Sequence, residues 1–183
     1  MRDAILWRRL DTPGHDACRL VCDGRGWRLE GTAVFLHDGA PASLSYLVVG
    51  SPDWLPLEGR VQGFIGDTEV DVTVARGASA AWLINGTPAA GLDDCQHLDF
   101  GFTPATNLPH VRWLDLEGRA SAPLPVAWLK PPFLTFERLA QQYTRRSASS
   151  YLYEAPEEGF TAELLVAPSG FVRRYPGLWD SEQ

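Results

Sequence analysis

The feature that most constrains this chain is an alternation of apolar and polar residues that returns along most of its length. In "VDVTVAR", residues 70–76, the side chains of Val70, Val72 and Val74 would share one face, and the polar residues between them the other. The segment "GWRLEGTAVFLH", residues 26–37, alternates in the same way. A period of two is the pattern of a half-buried β-strand, so the sequence predicts an all-β protein with little helix.

Dipeptides that favour tight turns separate these segments. Residues such as Asn, Asp and Gly tolerate the positive φ angles of two-residue hairpin turns. The predicted turns are Asp38-Gly39, Asn85-Gly86, Glu117-Gly118, Glu158-Gly159 and Ser169-Gly170. Their spacing predicts about ten to twelve antiparallel strands in a single domain over residues 1–183, folded as a barrel, roll or sandwich.

One segment is compatible with either a helix or strands. In "FLTFERLAQQYTRRS", residues 133–147, the side chains of Phe136, Leu139, Ala140 and Tyr143 have helical spacing. The same segment also alternates with a period of two, and hairpin patterns follow it directly. We therefore predict strands here.

The composition narrows the classes of function. The chain is 45% hydrophobic and 21% charged, which is typical of a globular protein, and its net charge of −7 argues against a nucleic-acid partner. No apolar run is long enough to span a membrane or to act as a signal peptide. Three cysteines suggest reduced thiols rather than a disulfide framework. We expect a cytoplasmic protein.

Aromatic residues are numerous. Seven Trp, five Tyr and eight Phe require either a large core or a cavity that faces a ligand. Curved sheets of about ten strands can enclose more volume than their own side chains fill. A ligand cavity and a plain core are both compatible with this content.

The stretch "LDFGFTPATNLPH", residues 98–110, differs from its surroundings. Leu98, Phe100 and Phe102 would end a strand with their side chains inward. The turn that follows is stiffened by prolines and carries the hydrogen-bonding side chains of Thr103, Thr106 and Asn107. Such side chains either cap their own backbone or bind a ligand.

Two arginines have an uncertain direction. Read as a strand, "VRWLDL" places Arg112 on one face with Leu114 and Leu116, and Trp113 on the other. If the leucine face is inward, the guanidinium needs an internal carboxylate or the polar head of a ligand. If it is outward, Arg112 is solvated. Arg8 presents the same two alternatives.

No catalytic constellation stands out. His97 and His110 bracket the unusual stretch and could meet near Asp93, Asp94 or Asp99, but no spacing matches a known metal-ligand pattern. No nucleophile elbow and no phosphate-binding glycine loop is present. We therefore predict no catalytic residue, no metal and no cofactor.

Five segments resemble the bacterial family of putative glycolipid-binding proteins. They are "WRRLDTPGHDACRL", "AVFLHDGAPASLSY", "LDFGFTPATN", "VAWLKPP" and "RYPGLW". The resemblance implies a curved or unclosed β-barrel or β-roll, similar to the unclosed barrels of envelope lipoprotein carriers, which hold acyl chains in an apolar hollow. The family more often reads Leu-Pro-Ile-Arg-Arg after its Asn, whereas this chain keeps only Arg112.

The leading hypothesis is a non-catalytic protein that binds an amphipathic molecule, plausibly a glycolipid. An enzyme that uses His, Asp or Glu in the same hollow and a protein-interaction module are the alternatives. The oligomeric state stays open. The predicted ligand-binding residues are Arg8, Trp82, Phe102, Thr103, Thr106, Asn107, Arg112, Trp113 and Trp128.

Overall fold

The computed structural model describes residues 1–78, 80–116, 118 and 120–182. This part of the chain forms strands and short connections, with one α-helix, α1 (Asn107–Leu116), and a single 3-10 turn at Pro156–Glu158. The strands are β1 Arg2–Arg9, β2 Gly14–Asp23, β3 Gly26–His37, β4 Ala40–Gly50, β5 Pro56–Ile65, β6 Thr68–Arg76, β7 Trp82–Ile84, β8 Thr87–Pro88, β9 His97–Phe100, β10 Ser121–Pro123, β11 Val126–Lys130, β12 Thr135–Leu139, β13 Gln142–Arg145, β14 Ser150–Ala155, β15 Phe160–Val166, β16 Val172–Tyr175 and β17 Trp179–Ser181.

Fourteen of these strands form one antiparallel sheet that is curved but not closed. Its order is β10-β13-β14-β15-β16-β17-β1-β2-β3-β4-β5-β6-β7-β8. The first and last strands of the chain, β1 and β17, pair in the middle of the sheet. The predicted all-β, unclosed architecture is confirmed, and the strand count is larger than ten to twelve because strands of two or three residues leave no readable pattern.

The alternation fixes which face points inward. Val70, Val72 and Val74 of β6 are buried, and β3 alternates between buried and exposed residues as its sequence predicts. Two predicted hairpin turns form with the required backbone: φ is 50° and 81° at Asp38-Gly39 and 49° and 79° at Asn85-Gly86.

Of the other three predicted turns, two form as expected and one includes a residue that is not described. Gly159 and Gly170 also have positive φ, so the turns before β15 and β16 form where expected. Glu117, in the turn predicted at Glu117-Gly118, lies outside the described residues. The segment 133–147 contains the strands β12 and β13, which confirms strand over helix.

A second layer lies against the large sheet. It consists of the three-stranded sheet β12-β11-β9, in which β9 is parallel to β11, followed by α1. All four residues of β9 are buried. Phe102, just after β9, packs against Phe35 of β3 and Tyr46 of β4, and His110 of α1 contacts Tyr143 of β13. The second layer therefore contacts both halves of the large sheet.

The prediction of a strand over residues 111–116 is wrong, because these residues belong to α1. Pro109 falls in the first helical turn, where the missing N–H has no intrahelical partner in any case. Leu108, Val111 and Leu114 then recur at helical spacing and are all buried. Burial of this apolar face outweighs the short period-two pattern.

Candidate ligand-binding cavity

A cavity of about 280 Å³ lies between the second layer and the strands β14 to β17. Its polar lining residues are Asp99, Thr103, Asn107 and Glu158. Its other lining residues are Gly101, Pro104, Trp128, Leu139, Tyr153, Ala155, Phe160, Tyr175, Leu178 and Trp179. Aromatic rings thus surround a small polar group, the usual composition of a small-molecule site.

The backbone at Gly101 brings the two layers of this wall together. A Cβ atom at Gly101 would lie 2.6 Å from Nε1 of Trp128, closer than such atoms approach. Glycine therefore lets the Trp128 ring of β11 lie against the turn that follows β9. Any larger residue would displace the Trp128 ring.

Asp99 is the most deeply buried acidic group of the cavity wall. Nε2 of Gln141 donates a hydrogen bond to its Oδ2 at 2.5 Å, and Oγ1 of Thr106 donates to Oδ1 at 3.4 Å. Burial raises the pKa of Asp99 to about 6, and these two hydrogen bonds oppose the increase. Oε1 of Gln141 is buried without a hydrogen-bond donor among the described residues.

Thr103 lies between the cavity and a second buried acid, Asp16 of β2. Its Oγ1 donates to Asp16 and accepts a hydrogen bond from the backbone N–H of Ala105 at 3.0 Å. Oη of Tyr46 donates to the same carboxyl at 3.0 Å. Burial raises the pKa of Asp16 to about 7. Thr103 therefore caps its own turn and ties it to the large sheet.

Asn107, at the start of α1, contributes to a buried chain of polar groups. Its Nδ2 donates to Oη of Tyr143 at 2.8 Å, and Nδ1 of His110 lies 3.1 Å from the same oxygen. Nε2 of His110 lies 3.0 Å from the carbonyl oxygen of Leu98. Burial lowers the pKa of His110 to about 4, so the ring is neutral. The hydrogen bonds of Asn107 and His110 with Tyr143 hold α1 against β13.

His97 and His110 do come together, with ring centroids 5.2 Å apart. His97 also contacts Trp113, and burial lowers the pKa of His97 well below its usual value. Both ring nitrogens of His97 are buried without a hydrogen-bond partner among the described residues. Among all the residues that the structure describes, no three His, Cys, Asp or Glu side chains are grouped as metal ligands.

Arg112, one of the predicted ligand-binding residues, is absent from the lining of this cavity. It is half-buried on α1, with its guanidinium 5.1 Å from the ring centroid of Trp54. Its Cδ would lie 2.9 Å from a Cβ at Gly170, so glycine makes room for it there. The two strand faces considered for Arg112 do not apply, because the residue is helical.

The remaining predicted residues divide between the core and the surface. Phe102 packs in the core, and Nε1 of the buried Trp82 donates to the carbonyl of Cys95 at 2.8 Å. Trp113 lies beside His97, and Arg8 is exposed near Glu182. Of the predicted residues, Thr103, Asn107 and Trp128 line the cavity, and Thr106 contacts Asp99.

Sequence reasoning did not assign several residues of the cavity to a site. They are Asp99, Leu139, Tyr153, Glu158, Phe160, Tyr175 and Trp179. The alternation placed Asp99 on the outer face of its strand, opposite Leu98 and Phe100. In the structure β9 is covered on both faces, so the carboxyl is buried as well. The signal that could have found it is an acid between the apolar residues Leu98 and Phe100 in a resembling segment.

Comparison with known proteins identifies the family. The model of the family described as "Putative glycolipid-binding" matches residues 4–181. The chain belongs to this family. A crystal structure of a DUF1089 family protein from Pseudomonas aeruginosa superposes with a TM-score of 0.79 at 27% identity, covering 91% of each chain. Among curated proteins, none matches.

No helix within the described residues is long and apolar enough to cross a membrane. Cys18, Cys22 and Cys95 are free thiols. Burial raises the pKa of each, so none is an activated thiolate.

Proposed function

We propose that this protein binds an amphipathic ligand, a glycolipid in the sense of its family's description, without transforming it. The observation that carries the proposal is the cavity itself, with acid and amide groups at one end and aromatic rings around them. The free cysteines support a reducing compartment, and we place the protein in the cytoplasm on that basis.

The lining suggests how such a ligand would lie. Its polar head would meet Asp99 and Asn107, which hydrogen bonds with Gln141 and Tyr143 hold in place. The adjoining apolar segment would lie against rings such as those of Trp128 and Tyr175. Each buried methylene would contribute about 0.8 kcal/mol.

The size of the cavity limits what it can enclose. Ligand pockets commonly measure about 300–1,000 Å³, and this cavity, about 280 Å³, lies at the small end. It accommodates a head group with the first part of an attached chain. A complete lipid would extend beyond it.

Native mass spectrometry of the purified protein tests the proposal, together with a fluorescence titration using a glycolipid extract. We expect the purified protein to carry a bound lipid. Trp128→Ala should weaken the affinity for this lipid about tenfold, because the ring lines the cavity. Trp113→Ala is the matched control, since Trp113 lies beside His97 and outside this lining. Absence of a co-purified lipid together with absence of binding would refute the function.

One observation favours an enzyme as the second candidate. Asp99 and Glu158 both line the cavity, and the pKa of Asp99, raised to about 6, suits a general acid or base near neutral pH. Incubation with glycolipids and chromatography of the products separates the two candidates. Turnover that Asp99→Asn abolishes while binding persists would establish the enzyme.

A further inference from the structure

The polar end of the cavity presents hydrogen-bond acceptors. The carboxyl of Asp99 has about four acceptor positions, of which Gln141 and Thr106 occupy two. Asn107 donates its amide N–H to Tyr143, which leaves its carbonyl oxygen uncommitted by that bond. Thr103 donates its hydroxyl hydrogen to Asp16. Asp99 and Asn107 therefore offer acceptors to the donors of a ligand head.

The charge of the lining has one sign. Among the described lining residues, Asp99 and Glu158 are acidic and none is Lys, Arg or His. An anionic head would face these carboxyls inside a partly desolvated site, where like charges repel strongly. Phosphate and carboxylate heads are disfavoured there.

Two cations touch the aromatic walls, and both are paired elsewhere. Arg9 lies 5.3 Å from the ring centroid of Trp179 and forms two hydrogen bonds with Asp11, at 2.8 and 2.9 Å. Lys130 lies 5.5 Å from the ring centroid of Trp128 and 3.2 Å from Glu137. Each cation is already paired with an acidic side chain outside the lining, so neither offsets the negative charge of the lining.

We propose that the cavity prefers a polyhydroxylated head group and discriminates against anionic heads, with Asp99 and Asn107 accepting hydrogen bonds from the ligand's hydroxyls. This inference rests on the proposed binding function and specifies the chemistry of the bound head. The aromatic rings suit the apolar faces of a sugar ring as well as a hydrocarbon segment. Several hydroxyls on one ring supply donors in the separate directions that two acceptors require.

Probes with the same eight-carbon chain and different heads test the inference. Calorimetric titrations at pH 7.5, below micelle-forming concentrations, compare octyl glucoside, octanoate and octylammonium. We expect octyl glucoside to bind at least about tenfold more tightly than octanoate. A ratio of this size corresponds to the loss of one hydrogen bond to a charged acceptor. Octylammonium should also bind more tightly than octanoate, because its charge is opposite to that of Asp99 and Glu158.

Variants assign the effect to the proposed groups. Asp99→Asn should weaken the glucoside about tenfold and tighten octanoate, because it removes a charged acceptor. Glu158→Gln, at an exposed residue, should tighten octanoate while the fold is retained. Glu163→Gln, an exposed residue of β15 outside the lining, is the control with the same charge change and should alter neither affinity.

The outcomes separate the two proposals. Octanoate that binds as tightly as octyl glucoside, or more tightly, overturns the head-group inference and leaves the binding function intact. Unchanged affinities for both probes in Asp99→Asn and Glu158→Gln overturn the assignment to these acids. If no probe binds and no lipid co-purifies, the binding function itself falls.

Discussion

Asp16 and Asp99 are two buried carboxyls with similar surroundings and different access. Burial raises the pKa of both, to about 7 for Asp16 and about 6 for Asp99, and neutral side chains hydrogen-bond each of them. Asp99 lines the cavity and Asp16 does not. A buried acid alone therefore does not mark a site, and the open space beside it makes the difference.

The difference follows from how the second layer lies against the two halves of the large sheet. Toward β2–β6 the contact is tight, with Thr103 bonded to Asp16 and Phe102 packed between Phe35 and Tyr46. On the side of β14–β17, the aromatic rings do not fill the space beside the second layer, and the cavity lies between them. One half of the contact holds the structure together, and the other remains available to a ligand.

The largest expected effect is on stability. Asp16→Ala should lower the free energy of unfolding by about 3 kcal/mol, because Tyr46 and Thr103 lose their shared acceptor in a closed site. Asp99→Ala should cost about 1 kcal/mol, because water in the cavity can bond to its partners. Urea denaturation at pH 6 measures both, and equal losses would contradict the comparison. Asp94→Ala, at an exposed residue paired with Arg138, is the control.

The second prediction concerns pH. Both carboxyls have raised pKa values, so the folded state holds their protons more tightly than the unfolded state, and stability falls as pH rises through about 6 and about 7. We therefore compare the free energy of unfolding of each variant with that of wild type. Between pH 5 and pH 8 this difference should shift in favour of the variant by about 2–3 kcal/mol for Asp16→Asn and by about 1 kcal/mol for Asp99→Asn.

The difference between variant and wild type is the informative quantity here. His97 and His110 have lowered pKa values and contribute in the opposite direction, so the wild-type stability curve sums opposing effects. Denaturation curves at intervals of half a pH unit locate each transition. A difference that is independent of pH for both variants would show that neither carboxyl titrates in this range.

The smallest expected effect comes from substituting a charged residue that does not line the cavity. Arg112 contacts Trp54 and is absent from the cavity lining. Arg112→Ala should change the affinity for octyl glucoside less than about twofold and lower stability by about 1 kcal/mol through the lost packing on the ring. Loss of binding in this variant, with the fold intact by circular dichroism, would move the site toward α1.

Local patterns predicted most of the large sheet. The alternation in β3 and β6 and the turn residues Asp38-Gly39 depend only on neighbours in the sequence, and the structure confirms them. Leu98, Phe100 and Phe102 were likewise predicted inward and are buried. These inferences require only that one face of a strand be buried.

The features that failed depend on distant segments. The helix at residues 107–116 forms because Leu108, Val111 and Leu114 meet a surface contributed by other strands. Asp99 is buried because β9 is covered on both faces, and Gln141, which is distant in the sequence, hydrogen-bonds its carboxyl. The cavity likewise depends on where β14–β17 stop, which no local pattern records.

The buried strand β9 and helix α1 have a consequence for chain length. Because they occupy much of the interior, the space left beside Asp99 is about 280 Å³ and ends close to the head group. Carbons beyond the first few of an alkyl tail would remain outside the protein. Affinity should therefore level off along a homologous series of alkyl glucosides instead of rising by about 0.8 kcal/mol with every methylene.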